Sequence, residues 1–245
     1  MGFSKLSSIN KIDKRGSSTT NNTQSFTSLL ASKVPWAKYK GSSYANGILL
    51  DEINGRNAIC TDCVLSTTTG NGGGTVPISV CRGYARTIIS TIIFPVGSIP
   101  ANYTIAFITR YAGSATNRIL TGHQAQNFIL GHHASKMGMF YDGTQWITPT
   151  TTNVTGALGN WVNMCVVSGG TAIPNNVQVN GIGKGVNVVT SNSGINQLAI
   201  NTSSYNEKST FELAHVIIWD SVLSLNEMKT VTDAFGNYLI TGILQ

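Results

Sequence analysis

The sequence predicts an all-β protein, an antiparallel sandwich or barrel with one short C-terminal helix and an extended N-terminal arm. Three observations predict it. Beyond Trp36 the chain is a succession of short runs rich in Ile, Val, Thr and Tyr. Gly, Asn, Pro and Ser break these runs at the spacing of about 8–12 residues that marks sandwiches and barrels. Only one stretch, near the C-terminus, carries a helical stripe.

The elements follow in order. Residues 1–33 read as an arm, and the body, 34–245, as starting near Val34-Pro35-Trp36. From Gly16 to Ser28 every residue except Phe26 is Gly, Ser, Thr, Asn or Gln, too little apolar surface to offset the entropy of ordering it. Strands are expected over Arg86–Phe94, Tyr103–Tyr111, Arg118–Thr121, Asn127–Leu130, Met137–Tyr141, Trp161–Val167, Asn176–Val179, Gln197–Ile200 and Phe211–Trp219. Asp142-Gly143 and Asn180-Gly181 suit type I′ hairpin turns, whose two central residues take positive φ. The glycine-rich Gly70–Gly74 lacks a following Lys-Ser/Thr and reads as a connection, not a phosphate loop. The helix is expected from Leu225 to about Leu239. Ser224 and Glu227 form a capping box, and Leu225, Met228, Val231, Phe235, Tyr238 and Leu239 make one apolar stripe.

Charge is sparse and unevenly placed. Charged residues are 11% of the chain, against about 25% in ordinary soluble domains. The first 40 residues hold seven basic side chains and one acid, Asp13, whereas the remainder holds nine of each. The net charge of +6 therefore lies in the first 40 residues. A neutral body lacks the basic face of a nucleic-acid-binding domain. No apolar run approaches the ~20 residues of a membrane span. Lys5, Lys11, Lys14 and Arg15 precede no apolar core, so no cleaved secretory signal is expected.

The segment Phe211–Asp220, followed by Ser221–Glu227 and the helix, resembles the closing signature of concanavalin A-like, laminin-G-like jelly rolls. Tyr44–Asp51 with Asn54-Gly55 resembles that family's opening strand and turn. The run Gly97–Tyr111, then Arg118–Gly122, is similar to a version found in large DNA viruses of algae and in some aquatic microbial eukaryotes. The resemblance spans roughly Trp36 to Gly242 and implies a two-sheet jelly roll. It is weakly specific for function, because the architecture hosts lectins, glycosidases, adhesion modules and capsid parts.

Catalysis is not expected. Glycoside hydrolysis needs two carboxylates flanking the scissile bond, and the family's Glu-x-Asp-x-(x)-Glu motif is absent. Asp51 and Glu52 are adjacent, and Glu207, Glu212 and Asp220 are widely spaced. No Gly-x-Ser-x-Gly elbow occurs. No cofactor or metal is expected. The resemblance implies calcium at the sandwich rim, but Asp142 is the only acid between Asp62 and Glu207. Cys60 and Cys63 have the spacing of half a zinc knuckle, without a second Cys-x-x-Cys in Cys81 and Cys165. Buried free thiols are the default, with a disulfide in an oxidising setting or a zinc site assembled in space as alternatives. His123, His132 and His133 would hold a metal with Asp142 only if hairpin geometry gathered them.

The expected function is binding. The first reading is a structural component of a large virus particle, a minor capsid or surface protein assembled in the host cytoplasm. It would dock on capsid or surface partners through Lys5, Lys11, Lys14, Arg15 and Phe26 of the arm. The alternative is a lectin-like module attaching to host or cell-wall glycans, in the virion or outside the cell. Its candidate residues are Tyr141, Asp142, Gln145 and Trp146, with Trp161 and His132 as neighbours. Trp36 and Trp219 are expected in the core.

Overall fold

A computed structural model describes residues 24–68, 76–151, 161–168, 176–189 and 194–245. Lys5, Lys11, Lys14 and Arg15 of the arm, and the Gly70–Gly74 connection, lie outside the described residues. The strands are β1 (Ala37–Ala45), β2 (Ile48–Asp51), β3 (Ala58–Thr61), β4 (Val64–Thr68), β5 (Ile78–Gly83), β6 (Thr91–Ile93), β7 (Tyr103–Thr116) and β8 (Leu120–Gly122). They continue with β9 (Ile129–His133), β10 (Lys136–Tyr141), β11 (Trp161–Ser168), β12 (Val177–Val179), β13 (Ile182–Gly183), β14 (Leu198–Ile200) and β15 (Ser209–Trp219). Two helices flank them, α1 (Phe26–Ser32) and α2 (Leu225–Thr241). Neither is long and apolar enough to cross a membrane.

All pairings are antiparallel and run in one path, β10-β9-β8-β14-β6-β3-β2-β1-β15-β7-β11-β12-β13, with β5 joining β15 to β4. The path folds over itself into a sandwich. β1 makes the crossing: Ala37–Lys40 pair with β15, and Tyr44-Ala45 pair with β2. Tyr39 also pairs with Asp51 of β2, and a register shift in that ladder separates it from Tyr44. Gly41 lies in the crossing, where an added Cβ would stand 2.1 Å from the Leu213 carbonyl oxygen and 2.6 Å from the Cys81 nitrogen. A side chain there would push β1 off the paired strands β15 and β5.

The core has two compartments, because the layer containing β7, β11 and β15 is covered on both faces. Phe107, Met164, Leu213 and Val216 face the other sheet, whose Leu49, Phe94, Leu120, Leu130 and Leu198 meet them. Ala106, Ile108, Trp161, Cys165, Ile217 and Trp219 point the other way and pack beneath the helices. This double cover explains why β11 is buried at all eight positions, where a half-exposed strand would alternate.

α2 has the predicted capping box and ends on Gly242 at φ 73, a left-handed C-cap. Burial works against the ionised Glu227, but the Ser224 backbone N–H and Lys33 outweigh it and hold its carboxyl below the usual range.

The boundary of the arm needs correction. Residues 24–33 are part of the folded body. α1 is capped by Ser25, and Phe26 and Leu29 bury against α2, with the Phe26 ring 6.3 Å from that of Phe235. The Trp219 indole N–H donates to the Lys33 carbonyl at 2.9 Å, and Lys33 pairs with Glu227 at 3.0 Å. Phe26 thus docks on its own chain. Composition misled because two buried side chains and a cap suffice once another helix supplies the surface.

Three smaller differences concern strands, turns and Trp36. The expected strand at Arg86–Phe94 shrinks to Thr91–Ile93. Asn180-Gly181 forms the expected turn, with φ of 50° and 78°, and Asn46-Gly47 forms another between β1 and β2. Asp142-Gly143 does not: only Gly143 has positive φ, because the Asp142 carboxylate builds the turn by itself. Trp219 is core as expected, whereas Trp36 is half-buried, with the Arg56 guanidinium 4.4 Å above its ring.

Candidate functional site

The end of the sheet formed by β8, β9 and β10 gathers the polar and aromatic groups expected to bind. β9 and β10 form a hairpin around Ala134 and Ser135, both at positive φ. Alternation along β9 sends Leu130 and His132 inward and leaves His133 half-exposed on the outside. Beyond β10, Asp142 folds the chain back. One of its oxygens accepts from the Thr144 N–H, the Thr144 hydroxyl and the Gln145 N–H at 2.7–2.8 Å. The returning strand makes an isolated bridge that sets Trp146 beside Tyr141.

The result is an aromatic ledge. The Trp146 ring lies 5.2 Å from that of Tyr141 and 5.4 Å from that of His133, and all three side chains are half-buried. The ledge is braced from behind. The Asn187 amide donates to the Trp146 carbonyl at 2.7 Å, and the Gln145 amide to that of Val188 at 2.8 Å.

An ion-pair chain continues the surface. His133 Nε2 lies 3.3 Å from Glu207 Oε1, and Glu207 pairs with Arg118. The Arg118 guanidinium stacks 4.6 Å over the ring of Tyr205, which is 39% exposed. Arg118 also donates to the Asn127 side-chain oxygen at 2.7 Å. Asn127 in turn lines a cleft of about 510 Å³ together with His123, Gln124, Gln126, Gly143 and Gln197. Gly143 sits in the turn between Tyr141 and Trp146, so ledge and cleft share a border.

This placement divides the predicted residues. Tyr141, Gln145 and Trp146 come together at the surface. Asp142 is adjacent but 1% exposed, and its carboxylate holds the turn beneath the surface. Trp161 and His132 are corrections. Trp161 is fully buried beneath the helix layer with Arg110 over its ring at 4.7 Å. His132 is fully buried against Tyr111, ring centroids 4.6 Å apart, and burial pushes its pKa down to about 3. Sequence reasoning missed Arg118, Tyr205, Glu207 and the outward-facing position of His133 at this surface. The parity of β9 carried a usable signal, since His132 shares its face with apolar Leu130 and Phe128 whereas His133 does not. The histidines do not gather with Asp142 into a metal site, as His132 and His133 point to opposite faces.

No family model matches the chain, and no curated protein matches it. Solved structures share its fold. Domain 4 of a GH43 extracellular arabinanase from Geobacillus stearothermophilus, solved with arabinotriose, matches at TM-score 0.56 and 13% identity, over 80% of this chain and 97% of that domain. Trypanosoma rangeli sialidase, solved as a covalent intermediate with 2,3-difluorosialic acid, matches at TM-score 0.52 and 14% identity, over 84% of this chain. A mutant of that sialidase displaying trans-sialidase activity matches at TM-score 0.53 and 14% identity. The chain spans about a third of the sialidase, 34% in both cases. At such identity the likeness establishes the fold and not an activity.

Proposed function

We propose that this chain is a non-catalytic glycan-binding module that uses the Tyr141–Trp146–His133 ledge and the adjoining amide-lined cleft. The ledge carries the proposal. A sugar ring presents one apolar C–H face and a rim of hydroxyls. A partly exposed indole can cover the first, and amides, an imidazole and an ion pair can bond the second. The similar arabinanase domain was solved with an oligosaccharide, which supports the choice of ligand class. Asp142 and Glu207, the acids at this surface, are both committed to structural bonds, which favours binding over hydrolysis.

A glycan array followed by calorimetry tests this, with arabino-oligosaccharides, sialylated oligosaccharides and β-glucans as probes. Trp146→Ala should weaken binding at least tenfold, and none of the probes should release reducing sugar. Absence of binding to every glycan, or a Trp146→Ala protein that binds as tightly as the parent, overturns the reading.

The arm-docked role in a virus particle becomes the second reading. It rests on the concentration of basic side chains in the first 40 residues. Because residues 24–33 belong to the folded body, its test is deletion of residues 1–23 alone. Incorporation of that truncated chain into particles at the parent level defeats it.

A further inference from the structure

Two cysteines close in sequence, Cys60 and Cys63, meet a third, Cys81, where the two layers join. β3 alternates, so Ala58 and Cys60 point inward while Ile59 and Thr61 face out. The chain then turns tightly at Asp62, φ 53°, and returns Cys63 to the same side. Cys81 arrives from β5 in the opposite layer, paired with Leu65 of β4 and Leu213 of β15. All three are buried, at 6%, 6% and 0% exposure, and their sulfurs lie within 4.8 Å of one another. The Tyr44 hydroxyl donates to the Cys63 carbonyl at 2.7 Å and closes the seam beside them. Cys165 is separate, buried in the helix-covered compartment.

We infer that Cys60, Cys63 and Cys81 form an all-sulfur site for a soft, closed-shell metal cation, zinc(II) or copper(I). Thiolates select these ions. A zinc–sulfur bond is about 2.3 Å, so three sulfurs around one ion stand about 4 Å apart. The cluster needs a contraction of less than about 1 Å to reach that. No histidine or carboxylate joins the three sulfurs among the described residues. A three-sulfur cage suits trigonal copper(I) directly and leaves zinc(II) one position for an added ligand. On binding, each thiol gives its proton to solvent and forms one metal–sulfur bond, with no change of oxidation state. A filled site would tie β3 to β5 across the sandwich.

The test uses the full chain, reduced and kept anaerobic. Zinc(II) and copper(I) are titrated separately against chromophoric chelators, and cobalt(II) serves as an optical probe of sulfur ligation. One equivalent of at least one of the two ions should bind per chain. Cys60→Ser and Cys81→Ser should each weaken binding at least 100-fold, and Cys165→Ser should not. Should the variants fail to fold, the parent chain decides: metal should protect Cys60, Cys63 and Cys81 from alkylation in a peptide map and leave Cys165 unchanged. Stoichiometric binding of neither ion, unprotected thiols, or a Cys60–Cys63 disulfide as the main form under reductant overturns the inference. None of these readouts depends on glycan binding.

Discussion

The two sheets of this sandwich are built on different rules. β11 buries all eight of its residues, whereas β3 buries every second one. The first seven residues of β7 and all but one residue of β15 are likewise buried, and β2 and β6 follow β3, while β8, β9, β14 and most of β10 in that second sheet are buried at consecutive positions. Where the two patterns differ, the cause is what covers the outer faces: α1 and α2 lie over one sheet, and among the described residues no helix lies over the other. The difference teaches where this molecule keeps its stability and where it can afford to expose chemistry. Apolar side chains on both faces of a strand contribute twice to burial but leave nothing to meet a ligand. The half-covered sheet supplies the ledge.

The largest expected effect lies under the helices. Phe235 is fully buried among Phe26, His215 and the β-sheet. Phe235→Ala should cost about 3–5 kcal/mol, read as a lowered urea midpoint. A loss below about 1 kcal/mol would show that the helix layer is dispensable and break the comparison.

Next comes the buried acid of the covered sheet. Glu212 is 2% exposed and pairs with Arg110 at 2.6 Å and Arg82 at 3.4 Å on neighbouring strands. Glu212→Ala leaves two guanidinium groups without their counter-charge and should cost about 3 kcal/mol. Glu212→Ala together with Arg110→Met should recover part of that loss in the same unfolding assay.

The third prediction concerns pH. Burial holds His132 and His215 neutral, each pushed down to about 3, with Lys38 and Lys40 adding to the effect on His215. An unfolded histidine titrates near 6.5. Between these values the unfolded chain binds protons that the folded chain refuses, so acid favours unfolding. Stability is complete above about pH 6.5 and falls as pH drops toward 3, by about 1.4 kcal/mol per pH unit for each histidine. Unfolding curves at pH 5 to 7, above most carboxylate titration, isolate this contribution. His215→Phe should roughly halve the slope, and an unchanged slope refutes the assignment.

The smallest effect on stability belongs to the ledge. Trp146→Ala removes a half-exposed ring and should shift the unfolding free energy by less than about 1 kcal/mol, whatever it does to glycan binding. A loss near that of Phe235→Ala would make Trp146 a core residue and sharpen the boundary between the regions in the other direction.

The strand series from β7 to β15 and the capped helix α2 were legible because each carries a local signature. The Ser224–Glu227 box and the stripe from Leu225 to Leu239 need no tertiary partner to be read. α1 was not legible, because its seven residues offer only Phe26 and Leu29 for burial and depend on Phe235 to hold them. Within the candidate site, Tyr141, Gln145 and Trp146 were read from one turn. Trp161 was misplaced because its outward-facing position on β11 is covered by a helix from far along the chain.

The sequence by itself determined that this is an antiparallel sandwich with a C-terminal helix, that its net positive charge comes from the first 40 residues, and that the Glu-x-Asp-x-(x)-Glu motif is absent. These follow from periodicity, capping and composition, which are properties of neighbours in the chain. Only the tertiary structure decided which face of each strand meets water, that Arg118 and Glu207 come to the same ledge as Trp146, and that Cys81 joins Cys60 and Cys63. Those outcomes depend on pairings between residues 18 to 89 positions apart, whose closure is chosen by the packing of the whole sandwich and leaves no mark in any local stretch of sequence.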